Sequence, residues 1–186
     1  MNIMVVGVGG QGTLLTSRII GKTALAAGYD VKLSEVHGMA QRGGSVVTFV
    51  RYGEKVFEPV CEEGTVDVLI SFERLEALRY AHFLKKDGVL IVNDTRIDPM
   101  TVVIGAAQYP ENIIEGLEKA HKLYTIDGGK IACELGNSKV LNSVVLGLAA
   151  KHIGFAKEEW LEVLKATVPP KTIDVNTRAF EKGYEA

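Results

Sequence analysis

Six residues near the start of the chain, Gly7-Val8-Gly9-Gly10-Gln11-Gly12, spell G-x-G-x-x-G between two segments of opposite periodicity. Before them, Asn2-Ile3-Met4-Val5-Val6-Gly7-Val8 is almost continuously apolar, the pattern of a strand buried on both faces of a parallel sheet. After them, Leu14, Leu15, Ile19, Ile20 and Leu25 recur at helical spacing over about 11–27, and Gly28 stands where a left-handed residue caps a helix. Val31 and Leu33 then begin a second strand that ends near Glu35. Strand, glycine turn, helix and strand make a β-α-β unit with a right-handed crossover, which commits the chain to an α/β, Rossmann-like architecture.

The remaining sequence extends that pattern. Ser45–Arg51 is rich in β-branched and aromatic residues, and Tyr52-Gly53-Glu54-Lys55 forms a turn into Val56-Phe57, which predicts an antiparallel hairpin. Val66–Phe72 and Gly88–Asn93 are further buried-strand runs separated by a helix over about 73–84. Strands are also expected at Thr101–Ile104 and Lys122–Ile126, with a helix around 111–120 between them. Two helices, 139–152 and 157–167, close the pattern, the second stopped by Pro169-Pro170. The expected fold is a mostly parallel sheet with helices on both faces and one antiparallel hairpin, in a single domain over residues 1–186. Gly147 in the apolar helix 139–152 allows another backbone to approach closely.

Composition narrows the function. Twenty-one basic and 23 acidic residues leave a net charge of −2, without the basic field of a nucleic-acid binder. No apolar run approaches the ~20 residues that cross a bilayer, and the first residues lack a signal-peptide pattern, so a cytoplasmic location is expected. Cys61 and Cys133 are too few for an iron–sulfur site and are expected to be buried thiols. None of the four histidines is spaced with another ligand as metal sites require; His82, His121 and His152 fall near helix ends. Asn93-Asp94, at a strand end, fits a turn or cap as well as a ligand contact.

Candidate binding residues gather in two loops. In the first, Gly9, Gly10, Gln11 and Gly12 offer backbone amides and one side-chain donor at a helix N-terminus, where anions bind; the same glycines also serve close packing of helix on strand. A helix dipole contributes only ~0.3–1 kcal/mol, whereas even a millimolar complex needs roughly 4 kcal/mol, so other groups must converge. The second loop, Val36-His37-Gly38-Met39-Ala40-Gln41-Arg42-Gly43-Gly44, supplies His37, Arg42 and the permissive Gly43 and Gly44. Arg42 can clamp a phosphate or carboxylate with its planar fork of donors. Glu35 lies near the position of a dinucleotide-binding carboxylate, so a stand-alone NAD(P)- or flavin-binding protein is one alternative and a non-catalytic nucleotide-binding adaptor another. The length leaves little room for a substrate domain, and the second loop departs from an ordinary ribose site.

Gly7–Gly12 together with Gln41-Arg42-Gly43-Gly44-Ser45-Val46 resembles the gamma-type subunit of 2-oxoacid:ferredoxin oxidoreductases. The fuller run Ser34–Gly44 is most similar to the small (beta) subunit of the indolepyruvate branch, and Asn142–Leu148 resembles that family's closing helix. The resemblance implies a subunit of an enzyme that oxidatively decarboxylates a 2-oxoacid with thiamine diphosphate. Electrons pass through iron–sulfur clusters to ferredoxin, and coenzyme A takes the acyl group. It places thiamine diphosphate, magnesium and the clusters on a large (alpha) partner subunit. Consistent with that, this chain lacks a thiamine motif: Lys86-Asp87-Gly88 is only superficially similar to G-D-G. Gly9, Gly10, Gln11, Gly12, His37, Arg42, Gly43 and Gly44 are then the expected contacts to coenzyme A or another anionic group, with no catalytic residue assigned.

Overall fold

A computed structural model describes residues 1–37 and 44–186, with the His37 side chain outside the described atoms. Strands β1 (Asn2–Val8), β2 (Asp30–His37), β3 (Ser45–Gly53), β4 (Val66–Ser71), β5 (Leu84–Asn93) and β6 (Lys122–Ile126) form one sheet in the order β2-β3-β1-β4-β5-β6. The pairs β1–β4, β4–β5 and β5–β6 are parallel, whereas β3 runs antiparallel to both β1 and β2. Five strands therefore share one direction. Helix α1 (Thr13–Ala26) follows the first glycine loop, and α2 (Arg74–Tyr80), α3 (Met100–Val103), α4 (Ile113–Ala120) and α5 (Gly128–Glu134) punctuate the later strands. Helices α6 (Leu141–Ala150), α7 (Lys157–Thr167) and α8 (Ile173–Glu185) complete the chain.

Strand alternation explains the two-sided core. On β1, Ile3 and Val5 face a cluster with Ile19 and Ile20 of α1, Val144 and Leu146 of α6, Trp160 of α7 and Phe180 of α8. Met4 and Val6 face the opposite cluster with Ala77 of α2, Ile113 and Leu117 of α4, and Cys61. Both faces of the sheet are thus covered by helices, as the near-continuous apolar strands require. Gly28 takes the left-handed conformation expected after α1 (φ 86°).

Several local expectations are corrected. The hairpin pairs β3 with the preceding β2, not with Val56-Phe57, and β3 also separates β1 from β2 within the β-α-β unit. Thr101–Val103 belongs to the short helix α3, although β-branched residues favour strands. Val103 and Ile104 remain exposed there, without the neighbours on a pleated surface that create that preference. The sequence pattern also missed α5 and α8. Cys61 is buried as expected, but Cys133 on α5 is exposed.

Candidate functional site

All five parallel strands end at one edge of the sheet, the usual place for a ligand in an open α/β fold. The first glycine loop leaves β1 there, and Gly44 leads into β3 at the same edge. The loops touch directly: the Gly9 N–H donates to the Gly44 carbonyl at 2.9 Å. Sequence reasoning had placed Gly9 and Gly44 at one site, and the structure brings them together. Gln41, Arg42 and Gly43, with the His37 side chain, lie outside the described residues.

Each residue of the first loop has a separate local cause. Gly10 takes φ 102°, with open space where a side chain would project. Gly12 caps α1 at φ 86°, and a Cβ there would come within 3.1 Å of Asn142 on α6. No side chain caps α1, and its first turn contains no acidic residue, so its leading N–H groups and positive dipole end point toward the loop. Gln11 departs from its expected role as a ligand donor. Its Oε1 accepts from the Val8 N–H at 2.7 Å, and its Nε2 donates to the Phe72 carbonyl at 2.9 Å. Gly7 makes room for this arrangement, since a Cβ there would sit 2.9 Å from Gln11 Oε1.

The brace continues along the edge. Asn93 is fully buried, donates to the carbonyl of Phe72 (3.1 Å) and to Thr95 Oγ1 (2.8 Å), and accepts from the Gly128 N–H (2.9 Å). Asn93 is therefore structural. Asp94 pairs with Arg74, where the hydrogen bond from the guanidinium's Nε holds the arginine above its ordinary pKa. Glu73 is nearly inaccessible and accepts from Glu76 N–H at 3.0 Å, Ile97 N–H at 3.1 Å and Tyr109 Oη at 2.6 Å. Burial and the bond to that carboxylate push the Tyr109 phenol above its ordinary range. These contacts fasten the segment between β5 and α4 onto α2.

A cavity of about 420 Å³ opens farther along this edge, lined by Arg74, Asp94, Arg96, Tyr109, Glu111 and Glu115 among others. Its two arginines each pair with an aspartate, Asp94 or Asp98, and two further glutamates line its wall. Those charges leave it without an electrostatic preference for anions. The uncapped start of α1 has that preference.

His82 and His152 have contacts within the fold. His82 lies 3.5 Å from Glu63, and His152 stacks near Tyr124 with 4.3 Å between ring centroids. Among the described residues, no group of three or more His, Cys, Asp or Glu side chains could hold a metal ion. No helix among them is long and apolar enough to cross a membrane.

Residues 2–186 match the family described as pyruvate ferredoxin/flavodoxin oxidoreductase. The chain belongs to this family. It is 45% identical to indolepyruvate oxidoreductase subunit IorB of Thermococcus kodakarensis, over 100% of this chain and 95% of that relative. Among solved structures it is similar to pyruvate oxidoreductase subunit PORC of Thermotoga maritima, with a TM-score of 0.73 and 25% identity, covering 100% of this chain and 95% of that one. The 2-oxoglutarate:ferredoxin oxidoreductase of Magnetococcus marinus shares the fold at 22% identity and a TM-score of 0.75; the match covers 100% of this chain but 30% of that longer one. The α/β fold and the family match agree with the resemblance read from the sequence.

Proposed function

We propose that this chain is the small subunit of a 2-oxoacid:ferredoxin oxidoreductase acting on indolepyruvate or a related arylpyruvate. The observation that carries this reading is the 45% identity with IorB across the whole chain. In the proposed reaction the 2-oxoacid loses carbon dioxide and coenzyme A takes the acyl group. The two electrons released reduce ferredoxin. Two cysteines, Cys61 and Cys133, are too few to ligate an iron–sulfur cluster. Thiamine diphosphate, magnesium and iron–sulfur clusters are assigned to a larger partner subunit.

The small subunit's own task is to complete the pocket and hold the anionic part of coenzyme A. The amides of Gly9, Gly10 and Gly12 and the start of α1 provide the oriented dipoles. Gln11 supports this role as the brace of the loop; His37, Arg42, Gly43 and Gly44 are the further contacts assigned from the sequence, with the Arg42 guanidinium as a positive charge. The protein thereby contributes positioning and exclusion of water, while the cofactor carries the difficult chemistry.

Co-purification with the large subunit, followed by ferredoxin or dye reduction with aryl and aliphatic 2-oxoacids, tests the assignment. Turnover should require both chains and favour the aryl substrates. Full turnover by the large subunit alone would overturn it. Within the assembled enzyme, Arg42→Ala should raise the apparent KM for coenzyme A about tenfold, the equivalent of about 1.4 kcal/mol. An unchanged KM with intact assembly would remove Arg42 from the site.

A further inference from the structure

We infer that Glu76 is a positioning residue: its buried carboxylate holds the Ser45 hydroxyl and, through it, the junction where the two glycine loops touch. The inference rests on the coenzyme A reading above and adds a residue that reaches the site only through another side chain. Ser45 is the first residue of β3 and pairs with Val8, the last of β1. It directly follows Gly44, whose carbonyl accepts the Gly9 N–H. Movement of Ser45 across the sheet therefore carries the Gly44 carbonyl with it.

Two residues of α2 converge on that hydroxyl. Ser45 Oγ donates to Glu76 Oε2 and stands 3.2 Å from Tyr80 Oη. Glu76 and Tyr80 are about one helical turn apart, so they share a face of α2. Glu76 is only 4% exposed, and the other oxygen of its carboxylate accepts from Arg79 Nε at 3.2 Å. A buried carboxylate is costly to desolvate. A helix that needed only to fill this space would carry an apolar side chain, as α2 does at Ala77. The charge instead makes a strong acceptor for one hydroxyl at the base of the second loop.

The first loop is held from the same place. Gln11 accepts from the Val8 N–H and donates to the carbonyl of Phe72, in the turn that leads from β4 into α2. Both loops are thus tied to the β4–α2 connection, one through Gln11 and one through Ser45, with the Gly9–Gly44 bond between them. Glu73, at the N-cap of α2, accepts instead from Ile97, Tyr109 and the Glu76 N–H. The two buried glutamates therefore have separate tasks, Glu73 toward the β5–α4 segment and Glu76 toward β3.

The test measures amide hydrogen exchange at Gly9 in the full chain and coenzyme A kinetics in the assembled enzyme, for the parent, Glu76→Ala, Glu76→Gln and Ser45→Ala. Glu76→Ala and Ser45→Ala should each speed exchange of the Gly9 amide about tenfold, with the amides of β5 unchanged. In the assembled enzyme both should raise the KM for coenzyme A about fivefold at a kcat close to the parent's. Combining the two should be no worse than either alone, because they act as one unit. Glu76→Gln keeps an acceptor of the same shape and should stay within about twofold of the parent. If Glu76→Ala does not fold, Ser45→Ala, which removes one oxygen from a partly exposed residue, carries both measurements. Faster exchange throughout the sheet with a lower Tm and an unchanged KM would mark a merely structural role and overturn the inference. So would Gly9 exchange at the parent's rate, or an unchanged KM in an enzyme where Arg42→Ala raises it. Faster exchange confined to Gly9, with KM unchanged in every variant including Arg42→Ala, would leave the brace standing and reject the coenzyme A reading.

Discussion

Gln11 shows how a loop residue that offers a donor to a ligand can be directed inward. A glutamine carboxamide combines one acceptor oxygen with two N–H donors. Here the oxygen holds the end of β1, and one donor reaches Phe72, 61 residues away in sequence. Gln11→Ala would leave the Val8 N–H without its side-chain acceptor and the Phe72 carbonyl with Asn93 as its remaining side-chain donor, at a cost of about 1–3 kcal/mol. For a domain of this size that corresponds to a fall in Tm of roughly 2–4 °C per kcal/mol, measurable by calorimetry. An unchanged Tm would show that the brace contributes nothing. The distant partner also explains why the sequence pointed to a ligand contact. The local motif shows a donor beside glycines, while the carbonyl that captures it arrives through the parallel pairing of β1 and β4.

Between elements, the closest packing is that of α6 on α8. A Cβ at Gly147 would lie 2.0 Å from the Phe180 carbonyl oxygen, and one at Gly183 would lie 1.8 Å from that of Val144. Both obstacles are backbone atoms, so a rotamer change cannot relieve them. Alanine ordinarily improves a helix by about 1 kcal/mol over glycine; here the helices would have to separate along a buried seam. Gly147→Ala and Gly183→Ala should therefore destabilise by about 3 kcal/mol or more, seen as a lower denaturant midpoint. A midpoint equal to or above the parent's would mean that the helices tolerate separation. The sequence anticipated the close approach at Gly147 but not its partner. Pro169-Pro170 marked the end of α7, whereas Pro170 also opens the turn Pro170–Thr172 that leads into α8. The strand β1, its glycine turn and α1 were legible because period and punctuation agree there. The placement of β3 was not: Val46–Val50 is buried on both faces, and such a run carries no information about the direction of its neighbours.

Across the whole molecule, acid acts on groups away from the glycine loops. At the opposite edge, Asp67 accepts from the Asn2 N–H at 2.6 Å and pairs with Lys85. Burial raises the pKa of that carboxyl, but the bonds from Lys85 and the Asn2 backbone outweigh it and hold the group below 3.8. Its stabilising effect is present above 3.8 and is lost as pH falls through the folded-state value. His152 acts earlier in an acid titration. Burial, with the charges of Lys122 and Lys151, keeps its imidazole below 6.5, and its Nε2 has no hydrogen-bond partner among the described residues. The unfolded chain therefore takes up this proton first as pH falls. Stability should decline from 6.5 down to the folded-state pKa of His152 and show no further loss from this group below it. His152→Phe retains an aromatic ring against Tyr124 while removing the titration. Tm measured between pH 7.5 and about 4.5 should fall less for this variant than for the parent, with the two curves converging again in shape where Asp67 begins to protonate. Parallel curves over the whole range would place the acid-sensitive group elsewhere in the fold.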